Sequence, residues 1–300
     1  MEISVVIPAY NASCFLTETL DSVLSQSYQD FEIVLVDDGS TDSTDVLIKG
    51  YQNAHEEKIR YVYQDNGGVA VARNTGINHS KGKFIAFCDA DDLWSLHHLK
   101  VLYDTITRDS SLGLVHSKTT KIDEGGTVID SSNSDDTLLS GNIFRALFLR
   151  EANIVTSSVI FHKKCFDLIG PFDQQLSYLG CEDRDFWLRL TQRYPVQYVD
   201  SVLTYYRIRK DSLSSEQTKM HQARLYIIDK YTGGSKGNLR FKNHALARVY
   251  RESGDQALMK QDFDNAKRNY KQALKYRICN YWTWVNLIKA FLRVPVKLIH

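Results

Sequence analysis

The stretch FIAFCDADD, residues 84–92, joins a short apolar run to three aspartates. Such a run, ending abruptly in polar residues, is typical of a buried strand that stops at the edge of a sheet. If the backbone stays extended beyond Cys88, the side chains of Asp89 and Asp91 point the same way. Two adjacent carboxylates repel each other, and a hard divalent cation such as Mg²⁺ or Mn²⁺, shared with substrate phosphates, relieves that repulsion. A solvated acidic turn is the alternative interpretation.

Strand-like and helix-like segments alternate before this stretch. The apolar runs predict strands at Ile3–Ile7, Ile33–Val36, Ile59–Tyr63 and Phe84–Cys88. Helices are predicted between them, with apolar residues at helical spacing from Leu16, from about Ser43, and after Gly67 and Gly68. This order predicts an α/β fold with a mostly parallel sheet flanked by helices. Ligands of such sheets bind at the carboxyl ends of the strands.

Three polar loops follow the first, second and fourth predicted strands. They read PAYN at residues 8–11, DDGSTD at residues 37–42 and DADD at residues 89–92. Because the carboxyl ends of parallel strands meet at one edge, the loops are expected to converge on one crevice. The same residue types also form turns and helix caps, so each loop alone has a purely structural interpretation.

The segments SVVIPAYN, VDDGSTD, GGVAVARNTGI and FCDADD resemble, in order and spacing, the family 2 glycosyltransferases with the GT-A fold. The resemblance extends to about residue 215 and implies a nucleotide-diphosphate sugar donor, with uridine as the first expectation. It implies that Asp91 binds the divalent cation. The residues that it implies for nucleotide binding are Pro8, Ala9, Tyr10, Asp38, Arg73, Asn74 and Asp89. Arg73 has the alternative interpretation of an ordinary arginine on a helix surface.

The segment CEDRDFWLRL, residues 181–190, supplies a candidate catalytic base. On a helix, Asp183 shares a face with Phe186, Trp187 and Leu190, so its carboxylate should be partly desolvated and more basic. The resemblance places the base of an inverting transfer at the same residue, where it would deprotonate an acceptor hydroxyl. Glu182 is expected either to orient the acceptor or to be an N-terminal helix acid. Trp187 is assigned to the core or, as the weaker alternative, to acceptor support.

Two further features of the catalytic half refine this expectation. The segment FWLRL, residues 186–190, lacks the QxxRW pattern of processive relatives, so single additions are expected. Arg209 stands where many relatives have a histidine that completes the metal shell. An arginine does not ligate a cation, but its guanidinium could bond phosphate oxygens of the leaving diphosphate. A merely basic surface around Arg207 and Arg209 is the alternative.

Charge divides the chain at residue 215. Residues 1–215 hold 20 basic and 30 acidic side chains, a net charge of −10, whereas residues 216–300 hold 17 and 6, a net charge of +11. We therefore expect a GT-A catalytic domain at 1–215 and a helical extension at 216–300. Within the extension, Tyr250, Gly254 and the segment from Phe263 to Ala273 resemble a tetratricopeptide helix pair.

The terminal segment NYWTWVNLIKAFLRVPVKLIH, residues 280–300, is aromatic and apolar but is interrupted by basic residues. This pattern favours a helix at a membrane surface over a transmembrane span. The residues expected to enter an anionic bilayer surface are Trp282, Trp284, Leu287, Ile288 and Phe291. A helix packed on the protein core is the alternative. Membrane contact would suit a glycan or lipid-linked acceptor.

Composition limits the remaining choices. The 300 residues, 43% of them hydrophobic, suffice for a full core, and the five cysteines form no CxxC pair, which is typical of reduced thiols. Met1–Pro8 has no leader-like basic region, so a cytoplasmic protein, at most at the inner face of the plasma membrane, is expected. The alternative to an enzyme is a degenerate nucleotide-binding scaffold that acts through its tail. An oxidoreductase lacks its GxGxxG turn here, and an acidic catalytic half disfavours nucleic acid.

Overall fold

The computed structural model describes residues 1–130, 139–209, 216–233 and 239–294. Its internal contacts divide the chain into two units. The first, the catalytic unit, consists of Met1–Leu147 and Glu151–Ser215, and the second, the helical unit, consists of Phe148–Arg150 and Glu216–His300. The main division therefore falls where the charge of the sequence changes sign.

The strands of the catalytic unit form one mixed sheet. They are β1 Ile3–Ala9, β2 Phe31–Asp38, β3 Ile59–Gln64, β4 Phe84–Phe87, β5 Leu93–Trp94, β6 Leu114–Ile122, β7 Val128–Asp130, β8 Val159–His162 and β9 Val196–Arg207. Their order is β3-β2-β1-β4-β8-β6-β9-β5, with β7 paired to β6. The first four strands run parallel to one another, as the sequence predicts. Beyond β4 the sheet is mixed, because β8 runs antiparallel to both β4 and β6 while β9 runs parallel to β6.

Helices connect the parallel strands and cover the sheet. The helices before β9 are α1 Leu16–Leu24, α2 Thr44–Ala54, α3 Val69–His79, α4 His98–Arg108, α5 Phe144–Phe148, α6 Lys163–Ile169 and α7 Glu182–Thr191. Every residue of β1 and β2 is buried. Strands covered on both faces need apolar side chains in both directions, which explains why both strands are mostly apolar. The polar residues inside them, Ser4 and Glu32, bond each other at 2.7 Å.

The helical unit contains α8 Gln217–Thr232, α9 Leu239–Met259, α10 Phe263–Tyr276 and α11 Tyr281–Leu292. Helix α9 lies close to α10 where a Cβ on Gly254 would stand 2.6 Å from the ring of Tyr270. Helix α11 buries Leu287 and Ala290. The expectation that Leu287 faces a bilayer is therefore wrong, because this side chain packs with α10 residues in the apolar cluster of the unit.

Two observations bear on the prediction of membrane contact. In the described ranges, no helix combines the length and the apolar character that a membrane crossing requires. Residues 295–300, which belong to the expected interfacial segment, lie outside the described residues.

Candidate functional site

The loops after β1 and β2 are tied to each other at the carboxyl edge of the sheet. Pro8 and Ala9 end β1 as buried residues, and Tyr10 beyond them is 52% exposed. Asn11 has a left-handed backbone with φ of 48°. Its N–H donates to Ser40 Oγ at 3.0 Å, and its Oδ1 accepts from the N–H of Thr41 at 2.8 Å. The turn formers of both loops thus lock one wall of the crevice.

Asp38 is buried at the end of β2 and holds the turn that begins α3. Its carboxylate accepts from the N–H groups of Gly67 and Gly68, at 2.9 and 2.8 Å, and from the amide of Gln64 at 2.6 Å. Gly39 after it has φ of +73°, and a Cβ there would stand 2.8 Å from the nitrogen of Asn66. In the structure, the Asp38 carboxylate bonds residues of the chain segment that leads into α3. Its contact with a nucleobase stays a prediction.

Asn74 on α3 clamps the chain segment before α7. Its amide donates to Phe172 O at 3.0 Å and accepts from Phe172 N–H at 2.8 Å. These two reciprocal hydrogen bonds resemble those of a short sheet ladder. They pair both the nitrogen and the oxygen of the buried amide, which fixes its orientation. The predicted contact of Asn74 with a nucleotide is untested, and its observed bonds are internal.

Arg73, one residue earlier, lies inside the molecule and not on a helix surface. Its guanidinium contacts the carboxylates of Asp89, at 2.7 Å, and of Glu182. Burial alone would lower the pKa of Arg73, but the charges of Asp89, Glu182 and Asp183 raise it. The arginine therefore remains a cation and joins the acid-rich loop after β4 to the acids at the start of α7.

The acid-rich stretch is a turn and not the extended segment that the sequence predicted. The N–H of Asp92 donates to Asp89 O at 3.1 Å, which closes a four-residue turn. The charges of Asp89 and Asp91 are nevertheless close enough to affect each other, since burial first and the Asp89 charge second raise the pKa of Asp91. The pairing of these carboxylates is thus produced by the turn, and the alternation argument for it is wrong.

Asp91 bears on the metal prediction. Arg209 Nη1 donates to Asp91 Oδ2 at 3.1 Å and lowers the pKa that burial raises. Among the residues that the structure describes, no three His, Cys, Asp or Glu side chains are arranged to hold a metal. One carboxylate, completed by diphosphate oxygens and water, is nevertheless a donor set that Mg²⁺ and Mn²⁺ accept. Asp91 fits such a cation in the presence of a donor.

Asp92, the last acid of the DADD loop, has a structural role. Its side chain is fully buried, accepts from Ser157 Oγ at 2.5 Å and accepts from the N–H of Arg207 at 2.9 Å. Burial, together with the charges of Asp91 and Asp89, raises its pKa well above the usual range. Arg207 is buried as well and donates to Asp91 O at 2.8 Å and Glu18 at 2.7 Å. It belongs to the framework of the turn, and the interpretation of a basic surface is wrong for this residue.

The two acids at the start of α7 have different surroundings. Glu182 is buried, and burial raises its pKa to about 7, against the lowering effect of Arg73. Asp183 is half-buried, and it accepts from Thr156 Oγ1 at 3.1 Å and from the N–H of Arg184 at 2.6 Å. Of the two carboxylates, that of Asp183 is the more accessible and is oriented by Thr156, and its role as the catalytic base stays a prediction.

Trp187 belongs to the core. It is 1% exposed and packs among aromatic rings, which are those of Phe87, Phe161, Phe172 and Phe186. A side chain without exposed surface has none to offer to a sugar, so the weaker assignment of Trp187 to acceptor support is wrong.

Sequence reasoning also missed the internal pairs of α7. Asp185 is fully buried and pairs with Arg189 at 3.1 Å. Arg189 also donates to the carbonyls of Ile169, Gly170 and Pro171. The spacing of Asp185 and Arg189 by four residues was the available signal.

This fold and site define a class of protein. A parallel sheet with loops PAYN, DDGSTD and DADD at one edge, extended by mixed strands and an acidic helix start, is the GT-A arrangement. The family model for Glycosyl transferase family 2 matches residues 4–167. The chain therefore belongs to glycosyl transferase family 2, and the resemblance seen in its motifs is confirmed.

Similar proteins agree with this assignment. An uncharacterized glycosyltransferase of Nostoc sp. is 28% identical over 77% of this chain and 74% of its own length. One of Rickettsia bellii is 30% identical, and glycosyltransferase GlyA of Streptococcus pneumoniae is 28% identical. The chain spans only 32% of the length of each of these two relatives, although they match 77% and 73% of the chain.

Solved structures share the fold at low sequence identity. S. aureus TarS 1–349 in complex with UDP-GlcNAc has a TM-score of 0.64 and 17% identity, covering 98% of this chain and 88% of that one. The mannosyltransferase PcManGT of Pyrobaculum calidifontis, in complex with GDP-Man and Mn²⁺, has a TM-score of 0.63 and 20% identity, covering 97% and 86%. These likenesses confirm the GT-A fold.

Proposed function

We propose that this protein transfers a sugar from a nucleotide-diphosphate donor, with UDP as the nucleotide, to a hydroxyl of a glycan or lipid-linked acceptor. The observation that carries the proposal is the buried guanidinium of Arg73, which joins Asp89 of the acid-rich turn to Glu182 beside Asp183. Donor-side and acceptor-side acids thus belong to one connected site. The neighbour TarS in complex with UDP-GlcNAc and the family model support the donor class.

The proposed mechanism is a single displacement with inversion. Asp183 accepts the proton of the acceptor hydroxyl as that oxygen attacks the anomeric carbon, and Thr156 keeps the carboxylate oriented. Arg209, next to Asp91, donates to the departing diphosphate. A divalent cation held by Asp91 would supply further neutralisation of the diphosphate charge, as the Mn²⁺ complex of PcManGT suggests. Single additions are proposed, because the segment after Asp185 lacks the processive pattern.

The test is calorimetric titration of UDP and GDP into the protein, with and without Mn²⁺, and into the Asp91→Asn variant. We expect UDP to bind more tightly with Mn²⁺ than without it, and Asp91→Asn to remove that difference. Asp104→Asn, which disrupts an exposed pair with Lys100 on α4, serves as the matched control. If UDP binds equally well with and without Mn²⁺, Arg209 would be the main partner of the diphosphate. If no nucleotide binds, a degenerate scaffold would be favoured.

We also propose that the helical unit contacts an anionic membrane surface where the acceptor is presented. One face of α11 exposes apolar side chains, which are Tyr281, Trp284, Ile288, Phe291 and Leu292. The ammonium groups of Lys267 and Lys271 lie 5.5 and 5.3 Å from the ring of Phe291. An aromatic and apolar face bordered by lysines is suited to the interface between lipid headgroups and acyl chains.

A further inference from the structure

Arg73 makes two ion pairs with residues that are distant in sequence. Asp89 contacts Nη2 and Glu182 contacts Nη1, so each carboxylate takes one arm of the fork. The sequence separations are 16 and 109 residues. The side chain of Arg73 is only 4% exposed, and that of Glu182 is 8% exposed. The bridge joins the turn that follows β4 to the first residue of α7, and it is buried at Arg73 and Glu182 and 29% exposed at Asp89.

The bridge leaves Arg73 little capacity for anything else. The guanidinium carbon lies 5.7 Å from the ring of Phe87 and 5.9 Å from the ring of Phe172. Its Nε is buried and has no hydrogen-bond partner among the described residues. With 4% of its side chain exposed and a carboxylate on each Nη, Arg73 offers a nucleotide almost no accessible surface, and separating a buried cation from a carboxylate would be costly.

The start of α7 has a backbone that needs an external anchor. Gly180 and Cys181 have φ of 84° and 64°, so two consecutive left-handed residues precede Glu182. For a residue with a side chain, such as Cys181, this conformation persists only where the surroundings fix it. The ion pair between Arg73 and Glu182 anchors the chain directly after these two residues and one residue before Asp183, whose charge also acts on Arg73.

We propose that Arg73 is a positioning residue, which sets the place of Asp183 relative to the donor by holding Glu182 and Asp89 together, and that it is not a nucleotide ligand. This inference rests on the proposed function for the role of Asp183. A rigid link of this kind matters because a misplacement of about 1 Å in a reacting group can cost roughly a hundredfold in rate.

The first experiment tests the bridge itself and does not depend on catalysis. Urea unfolding is measured for wild type, Arg73→Met, Glu182→Gln and the double variant. Residues that share a buried pair are non-additive. If the two single losses were independent, they would multiply. The folding equilibrium constant of the double variant should instead be about tenfold or more above the value that such multiplication gives. Additive effects would overturn the bridge, whatever the protein binds.

The second experiment tests positioning, using UDP titration and turnover of UDP-GlcNAc by hydrolysis. For Arg73→Met we expect kcat to fall roughly a hundredfold while the Kd for UDP changes less than about threefold. Glu182→Gln should lower kcat, and the double variant should fall little further. Arg73→Lys should not restore kcat, because one ammonium does not reproduce a fork between two carboxylates. Arg189→Met removes another part-buried arginine, one anchored on α7, and should lower stability but retain kcat.

The outcomes separate this inference from the proposed function. A loss of UDP affinity of tenfold or more in Arg73→Met, with kcat retained, would make Arg73 a nucleotide ligand and overturn the inference. Independent, multiplicative losses of kcat in the double variant would do the same. A wild-type protein that neither binds UDP nor hydrolyses UDP-GlcNAc would refute the proposed function, and the unfolding cycle would still decide whether the bridge exists.

Discussion

Asp183 differs from the neighbouring acids Glu182 and Asp185, which are buried, in being half-buried with an oriented carboxylate, since Thr156 donates to it. We predict that Asp183→Asn lowers kcat by about 10² to 10⁴, because a general base contributes about that factor, while UDP affinity is unchanged. Thr156→Val should have a smaller effect in the same direction. Asp185→Asn is the control, since it alters a fully buried acid of the same helix that pairs with Arg189. Steady-state kinetics of the three variants, with calorimetry for UDP, decides the matter. Unchanged kcat in Asp183→Asn would exclude it as the base.

We predict that Glu182 makes the free energy of unfolding depend on pH. Burial raises its pKa from 4.5 to about 7 in the fold, with Arg73 opposing and Asp183 adding to the rise. Between these two pH values the folded protein keeps a proton that the unfolded chain has released. The free energy of unfolding must therefore fall as the pH rises through this window. At about 1.4 kcal/mol per pH unit, the upper limit of the fall is roughly 3 kcal/mol.

The Glu182→Gln variant isolates this contribution. Glutamine cannot titrate, so its free energy of unfolding should vary less between pH 4.5 and 7 than that of wild type. Urea unfolding at several pH values across the window measures the difference in slope. Parallel curves for the two proteins would mean that Arg73 holds Glu182 ionised throughout.

At the scale of elements, two helix glycines with opposite surroundings test how α3 is seated on the sheet. A Cβ on Gly76 of α3 would stand 2.3 Å from Val6 Cγ1 of β1, whereas a Cβ on Gly50 of α2 meets nothing within 4 Å. We predict that Gly76→Ala destabilises the protein by about 1 to 3 kcal/mol through overpacking. Gly50→Ala should instead stabilise it by roughly 0.5 to 1 kcal/mol, because alanine favours a helix. Thermal and urea unfolding of both variants measure the signs. A neutral Gly76→Ala would mean that α3 can move away from β1.

The seating of α3 also affects the site, since Arg73 and Asn74 are on the same helix. A shift of α3 away from β1 would strain the bonds from Asn74 to Phe172 and from Arg73 to Glu182. The close packing of Gly76 against β1 therefore helps to hold Arg73 in position. The periodicity of the sequence shows the helix but not this approach, because a glycine carries no hydrophobic signal.

At the scale of the whole molecule, the sequence predicted those strands and loops that local residue patterns determine. The alternation of apolar runs and helical spacing identified β1 to β4 and the loops at their ends, since buried parallel strands carry continuous apolar runs. It did not predict the antiparallel pairing of β8 with β4 and β6, which is not written in either strand alone. The bridge from Arg73 to Glu182 likewise depends on tertiary packing over 109 residues. Composition and motif order found the acids, and only the fold shows which of them are buried partners.

The uneven charge of the molecule leads to the last prediction. Residues 216–300, with a net charge of +11 and the apolar face of α11, should bind vesicles that contain phosphatidylserine and should not bind pure phosphatidylcholine. Binding should weaken with salt, because the Debye length falls from about 10 Å at 0.1 M to about 3 Å at 1 M.

Ile288, 55% exposed, is at the centre of the face. Ile288→Glu should reduce vesicle affinity at least about tenfold, since burying such a side chain is worth roughly 1.5 to 3 kcal/mol. Leu168→Glu, at an equally exposed apolar position on α6, is the control and should bind as wild type does. Vesicle sedimentation measures both variants. Equal binding by wild type and Ile288→Glu, or self-association through this face without vesicles, would contradict the membrane role and assign α11 to protein contacts, because an apolar face that lipid does not cover is left for another chain.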